Sequence, residues 1–128
     1  MTRESDVLFA SAARTDSGSP HASNDLSSHA NPKGIILYLD ISASSGTSPT
    51  LDIKIQHKDP NGNYIDLTGA AFAQKVTTGQ DYLTIYPGIA ETANETVSDI
   101  LPGTYRALAT IAGTTPSFTF TLDAQYVV

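Results

Sequence analysis

Leu51-Asp52-Ile53-Lys54-Ile55-Gln56 alternates aliphatic and polar residues without a break, and the turn Asp59-Pro60-Asn61-Gly62 follows. Successive side chains of a strand point to opposite faces, so a period of two buries Leu51, Ile53 and Ile55 and leaves Asp52, Lys54 and Gln56 wet. Proline presets φ and Asn-Gly tolerates a positive one, which reverses the chain. Tyr64, Ile65 and Leu67 then form the returning strand of a hairpin.

The same grammar extends in both directions. Upstream, Ile35, Leu37, Leu39 and Ile41 share one face while Ile36, Tyr38 and Asp40 share the other, and Ser42 to Pro49 reads as a Ser/Gly/Thr loop. Downstream, Gly69 to Val76 is open between one helical turn and a strand, its short length and the following Thr-Thr-Gly-Gln favouring a strand or irregular edge. Leu83 and Ile85 alternate with Tyr82, Thr84 and Tyr86 up to Pro87-Gly88, and residues 89–100 suit a surface strand or crossing segment. After Leu101-Pro102-Gly103-Thr104-Tyr105-Arg106, the set Tyr105, Ala107, Ala109 and Ile111 shares a face. Gly113-Thr114-Thr115-Pro116 reads as a turn into Phe118, Phe120, Leu122, Ala124 and Tyr126, making a central hairpin.

Short strands separated by turn residues specify an all-β fold, an antiparallel β-sandwich of immunoglobulin-like type. Tyr105, just past the Pro102-Gly103 turn, stands where a tyrosine corner would put it. Its hydroxyl is then expected to bond backbone a few residues upstream and fix a crossover between sheets.

Residues 33–128 form the expected sandwich domain, and residues 1–32 differ in texture. A short apolar run, Val7 to Ala13, precedes a polar Ser/Asn/Asp/His stretch from Arg14 to Pro32 in which Leu26 is the large aliphatic. Such a stretch cannot bury enough surface to order itself alone. It reads either as an extended arm that orders against a neighbouring subunit, or as a first strand at 7–13 followed by a long surface loop of the same domain.

Among 128 residues there are seven Lys and Arg against thirteen Asp and Glu, a net charge of −6. The basic residues are scattered, and without a basic stripe to displace counterions a nucleic-acid partner is not expected. Cysteine is absent, which excludes disulfide scaffolds and thiol chemistry and fits assembly in a reducing cytoplasm. The first residues lack the apolar core of a cleaved export signal and no stretch approaches the ~20 apolar residues of a membrane span, so a soluble product without membrane contact is expected.

No residue set carries reaction chemistry. Asp59-Pro60-Asn61-Gly62-Asn63 spaces its oxygens like the start of a calcium loop, but Gly62 falls at the fourth position instead of the sixth and Ala70 stands where a bidentate Glu belongs. His21 and His29, with Asp16 and Asp25 nearby, are too dispersed for a zinc site, and His57 reads as a solvated residue at a strand end. Serines lack the nucleophile elbow, and phosphate-binding glycine loops are missing. Asn94-Glu95-Thr96 matches the glycosylation triplet but has no export signal to accompany it. The expectation is a non-enzyme with no catalytic, metal-binding or cofactor-binding residues. The six tyrosines admit one further reading, a sugar-binding aromatic face, since carbohydrate modules carry such platforms on sandwiches.

The ordered segments Leu-Phe-Ala-Ser-Ala-Ala-Arg-Thr, Lys-Gly-Ile-Ile-Leu-Tyr-Leu-Asp-Ile, Thr-Leu-Asp-Ile-Lys-Ile-Gln-His-Lys-Asp-Pro, Ile-Tyr-Pro-Gly-Ile and Asp-Ile-Leu-Pro-Gly-Thr-Tyr-Arg resemble a family of small virion structural proteins of tailed bacteriophages. The similarity spans roughly residues 7 to 127 and lies in strands and turns. It implies a capsid decoration, or cement, protein that binds the outer surface of the head lattice and stabilises it, assembled in the host cytoplasm and located in the virion. A tail, neck or head–tail connector component is the alternative, and a carbohydrate- or host-surface-binding module a second one. The implied partners are the major capsid protein and further copies of the chain, as a trimer at three-fold lattice points. Contact residues on this reading are Val7, Leu8, Phe9, Arg14 and Leu26 of the arm, with Ile36, Tyr38, Tyr82 and Tyr86 on the outer sheet face.

Overall fold

The computed structural model describes residues 4–27, 32–100 and 103–128. Every regular element among them is a strand: β1 (Ser5–Thr15), β2 (His21–Ala22), β3 (Leu26–Ser27), β4 (Gly34–Lys58), β5 (Tyr64–Ala71), β6 (Gly79–Ile85), β7 (Thr96–Val97) and β8 (Thr104–Val127). They form one sheet in the order β1-β8-β4-β6-β7, with β2 and β3 on β8 and β5 on β4. The fold is therefore all-β. Pairing is antiparallel except between β6 and β7, where the chain turns back through Thr92–Glu95 and runs parallel to the strand it has just left.

Two expectations about the strands need correction. Ser42 to Pro49 is not a loop, and Gly113 to Pro116 does not reverse the chain into a hairpin. β4 and β8 each run continuously through these stretches and pair with one another from Gly34↔Val127 to His57↔Tyr105. The glycine and proline chemistry is used to bend a continuing strand: Gly46 has φ +108°, Ser48 +48°, Gly113 +127° and Thr115 +45°. From Ile41 to Leu51 β4 advances ten residues while β8, from Phe120 to Ile111, advances nine. Bulges of this kind increase twist and bend the strand that carries the extra residue. They also explain why β8 buries odd-numbered residues from Tyr105 to Ile111 and even-numbered ones from Phe118 to Tyr126, whereas the buried aliphatic residues of β4 are odd-numbered on both sides.

The outer strands break at the same level. β1 follows β8 down to Ser117, the chain turns through Gly18 at φ +80°, and β2 and β3 resume along β8 at Ala109 and Tyr105. On the far side, β5 and the Leu51↔Lys75 bridge cover one half of β4, and after Gly79, at φ +146°, β6 covers the other. The sheet thus consists of two halves joined across one line of bends.

The long strand β8 doubles back across that line. Tyr105 and Tyr126 lie 21 residues apart on one strand, about 70 Å if it ran straight at ~3.3 Å per residue, yet their hydroxyls are 2.5 Å apart. Tyr126 donates on to Asp6 Oδ2 at 2.9 Å, which ties β1 into the same link. The hydroxyl of Tyr105 does not bond upstream backbone as a tyrosine corner requires, because the folded-back end of its own strand reaches it first. One apolar cluster fills the interior, drawing on Ile35, Leu37 and Leu39 from one half and Leu51, Ile53 and Ile55 from the other.

Residues 5–27 lie on their own chain, with Leu8 and Phe9 in the core and Leu26 packed against it. Of the turn expected around Tyr105, Pro102 is outside the described residues, and Gly103 has open space where a Cβ would stand. The Asp59–Gly62 turn joins β4 to β5 as its sequence implies, its carboxylate accepting from the amides of Asn61 and Asn63. These donors hold the Asp59 carboxyl below its ordinary range.

A Cβ at Gly113 would stand 2.8 Å from the carbonyl oxygen of Ser48 across the bend, at a φ that L side chains avoid. Gly113→Ala is expected to lower unfolding stability by about 1–3 kcal/mol, read from denaturant midpoints. An unchanged midpoint would mean that the bend is not where the fold is constrained.

Burial pushes both interior phenols up, that of Tyr126 to about 12. An unfolded tyrosine loses its proton near pH ~10, so stability is complete below that pH and falls as pH rises from there toward 12, the window in which the unfolded chain releases these protons ahead of the folded one. Phenolate absorbance from Tyr105 and Tyr126 is expected to rise together with loss of the β-sheet circular dichroism signal. Titration of all six tyrosines before any unfolding would contradict the buried link.

Candidate functional site

The two halves of the sheet present very different outer faces. On the half built from the end of β4, β5 and the start of β8, the polar side chains are occupied with one another. Asp66 accepts from Lys54 Nζ and Gln56 Nε2, both at 2.9 Å, and Gln56 Oε1 accepts from Arg106 Nε at 2.9 Å. The Arg106 guanidinium lies 3.5 Å from the centroid of the Tyr64 ring. Tyr64 donates its hydroxyl to Asp25, which also pairs with Lys58 at 3.2 Å. Hydrogen bonding from Tyr64 and then Lys58 lowers the Asp25 carboxyl from its ordinary range, while Gln56 and Lys54 do the same for Asp66. This network straps the 23–27 segment onto the body and leaves few groups to offer.

The other outer face is built by β1, the end of β8, the start of β4 and β6. Register places Val7 opposite Asp123, Asp123 opposite Tyr38 and Tyr38 opposite Tyr82. Directly opposed residues point the same way, so these four side chains form one row about 14 Å long across four strands. Val7 is 54% exposed, Tyr38 44% and Tyr82 58%, and the two tyrosine rings are 6.3 Å apart. Ile36 occupies the next row, opposite Thr84 and Gln125, and Tyr86 follows Thr84 on the same face. On the other flank, Asp40 accepts from Gln80 at 3.1 Å.

Five of the contact residues expected from sequence are therefore gathered on one face: Val7, Ile36, Tyr38, Tyr82 and Tyr86. The other four are elsewhere. Leu8 and Phe9 are each 4% exposed and belong to the core, because the register shift between Val7 and Phe9 turns two consecutive side chains inward. Leu26 packs against the core edge. Arg14 is bound within the molecule, where the β1–β8 ladder opens between Phe9 and Ala12. Its guanidinium donates to the carbonyl oxygens of Ala10, Ala12 and Phe120, and stands 4.7 Å from the ring centroids of both Phe9 and Phe120.

Asp123 was missed by sequence reasoning, since the Phe118–Tyr126 alternation marks it only as an outward residue. Its neighbours on the row come from strands more than eighty residues away in sequence. Partial burial among them raises its carboxyl above the ordinary range.

The remaining chemical candidates are used structurally. His21 Nε2 lies 2.8 Å from the Thr15 carbonyl oxygen, and His29 is outside the described residues. Asn94, at φ +62°, donates to the carbonyl oxygen of Ala71. Among the described residues no three His, Cys, Asp or Glu side chains converge as metal ligands, and no helix is long and apolar enough to cross a membrane. Comparison of the chain with protein-family models, with curated proteins and with solved structures finds no match in any of the three.

Because Arg14 satisfies three carbonyls and stacks on two rings, lysine cannot replace it. Arg14→Lys is expected to lower stability by about 1–3 kcal/mol and to speed amide exchange through β1. Wild-type exchange rates in β1 of the variant would refute the role assigned to the guanidinium.

Proposed function

We propose that this chain is a structural protein of a tailed-bacteriophage virion, built as a β-sandwich and serving as a capsid decoration protein. The single observation that carries the docking reading is the Val7–Asp123–Tyr38–Tyr82 row with its exposed, adjacent tyrosines. Aromatic residues that remain in water on a flat sheet face are characteristic of the central contacts of protein interfaces. The resemblance of the strand sequences to small virion proteins supplies the setting, and the major capsid protein is the proposed partner.

The sandwich reading draws its support from the Tyr105–Tyr126 contact, which brings the two ends of β8 together. An immunoglobulin-like strand order has weaker support, because two strands of 25 and 24 residues pair end to end where that pattern uses separate shorter ones. Residues 5–27 belong to the body in this reading, so attachment is assigned to the sheet face instead of a free arm. Clustering of copies as trimers at three-fold lattice points is part of the same proposal.

A sugar-binding module is the second reading, favoured by the paired tyrosines with Asp40, Gln80 and Asp123 close by. Mixing the purified protein with undecorated expanded capsids separates the possibilities by cryo-electron microscopy. Density at every equivalent lattice site is expected, with Tyr38→Ala and Tyr82→Ala reducing occupancy. Density confined to a single ring would assign the chain to a connector or tail, and no particle binding with a positive glycan array would favour the sugar reading.

A further inference from the structure

Asp123 stands at the centre of the exposed row, between Val7 on one side and Tyr38 on the other, with Tyr82 beyond. Asp40 on the same face holds the Gln80 amide, whereas among the described residues no cation is opposite Asp123. Arg14 is packed against Phe9 and Phe120, Lys54 pairs with Asp66, Lys58 with Asp25 and Lys75 with Asp81, and Arg106 is held by Gln56 and Tyr64. These five described cations are thus committed elsewhere, and an acid is left among aromatic rings.

We propose that the Val7–Asp123–Tyr38–Tyr82 row is a receptor for an arginine side chain of a protein partner, the guanidinium pairing with the Asp123 carboxylate while its plane lies on the Tyr38 or Tyr82 ring. A planar guanidinium suits both contacts at once: it forms a two-pronged bond to a carboxylate and stacks on an aromatic face. The chain contains a stacking geometry of this type at Arg106 on Tyr64, where the partner acid is supplied through Gln56 and Asp66. Charge complementarity argues for a basic partner surface, since the net charge of the chain is −6. Among the described residues of a second copy, Lys33 is the cation left outside the internal pairs named above, and it lacks the planar guanidinium. Partial burial already disfavours the Asp123 charge in the free chain, and a bound cation would relieve that cost.

This inference rests on the docking reading for the identity of its partner, but not for its chemistry. The full chain, isotopically labelled, is titrated with acetyl-Gly-Arg-Gly-amide and with the same peptide carrying citrulline, which keeps the shape and removes the charge. Saturable amide shifts centred on Val7, Tyr38, Tyr82 and position 123 are expected from the arginine peptide alone. Asp123→Asn, a surface change that preserves volume, is expected to weaken that binding by about tenfold with an unfolding midpoint no lower than that of the parent chain. An equal response to citrulline, or a response that survives Asp123→Asn, overturns the proposal. So do shifts of this row by an oligosaccharide panel without any from arginine, and self-association that Tyr82→Ala abolishes. Particle binding that persists while the arginine peptide leaves the row unmoved removes this inference and keeps the virion reading. Arginine binding without particle binding does the reverse.

Discussion

A strand of 24 residues cannot bury both of its ends in one small core unless it doubles back, and β8 does so. The contact between the Tyr105 and Tyr126 hydroxyls is the consequence on which the rest of the fold depends. Doubling one strand of a hydrogen-bonded sheet requires every strand beside it to bend at the same level, since a straight neighbour would lose its ladder. Glycines with positive φ therefore occur at Gly18, Gly46, Gly79 and Gly113, one on each of the four chain paths that cross the bend, joined by Ser48 on β4 and Thr115 on β8. At Gly46 and Gly113 the need is steric as well as torsional: each lies under 3 Å, at its missing Cβ, from backbone of the opposite strand. Once these points allow the fold, the aliphatic faces of both halves meet and close a single interior.

Closing the interior in this way leaves two outer faces, and their difference is the basis of the functional argument. One face compensates its charges internally through Asp25, Lys58, Tyr64, Arg106, Gln56, Asp66 and Lys54. The other exposes two tyrosines and a partly buried acid. Surface ion pairs contribute little stability individually, so the network is better understood as fixing the 23–27 segment and the β4–β5 hairpin in place. A partly desolvated carboxylate without a cation has the opposite character: it costs the free chain something, and a partner can return it.

Much of this was legible in the alternation of residues. The buried sets Ile35 to Ile41, Leu51 to Ile55, Tyr105 to Ile111 and Phe118 to Tyr126 follow directly from period-two spacing, as does the outward position of Ile36, Tyr38 and Tyr82. The topology was not, because Gly113-Thr114-Thr115-Pro116 permits a reversal and a bend with the same local torsions. What decides between them is the partner strand, Ser42 to Pro49, whose small polar residues conceal a continuing ladder behind the composition of a loop. Leu8 and Phe9 escaped for a related reason, since a bulge breaks the alternation that assigns faces. Asp123 and Arg14 were beyond reach of any local rule: the first acquires its meaning from register across three strands, the second from a gap in a ladder.

The position of β1 bears on how the body meets a partner. As an edge strand it offers a row of backbone groups, the ready template for adding another strand. Two register shifts interrupt it within Val7–Ala12, and the Arg14 guanidinium occupies the gap they create. Bulges twist an edge out of the plane that a new strand needs, which discourages pairing with a second chain. The opposite margin ends in the two-residue β7, too short to guide an added strand. With both edges of that half poorly suited to strand addition, the docking proposed above falls to its exposed face, and the row through Asp123 lies across that face.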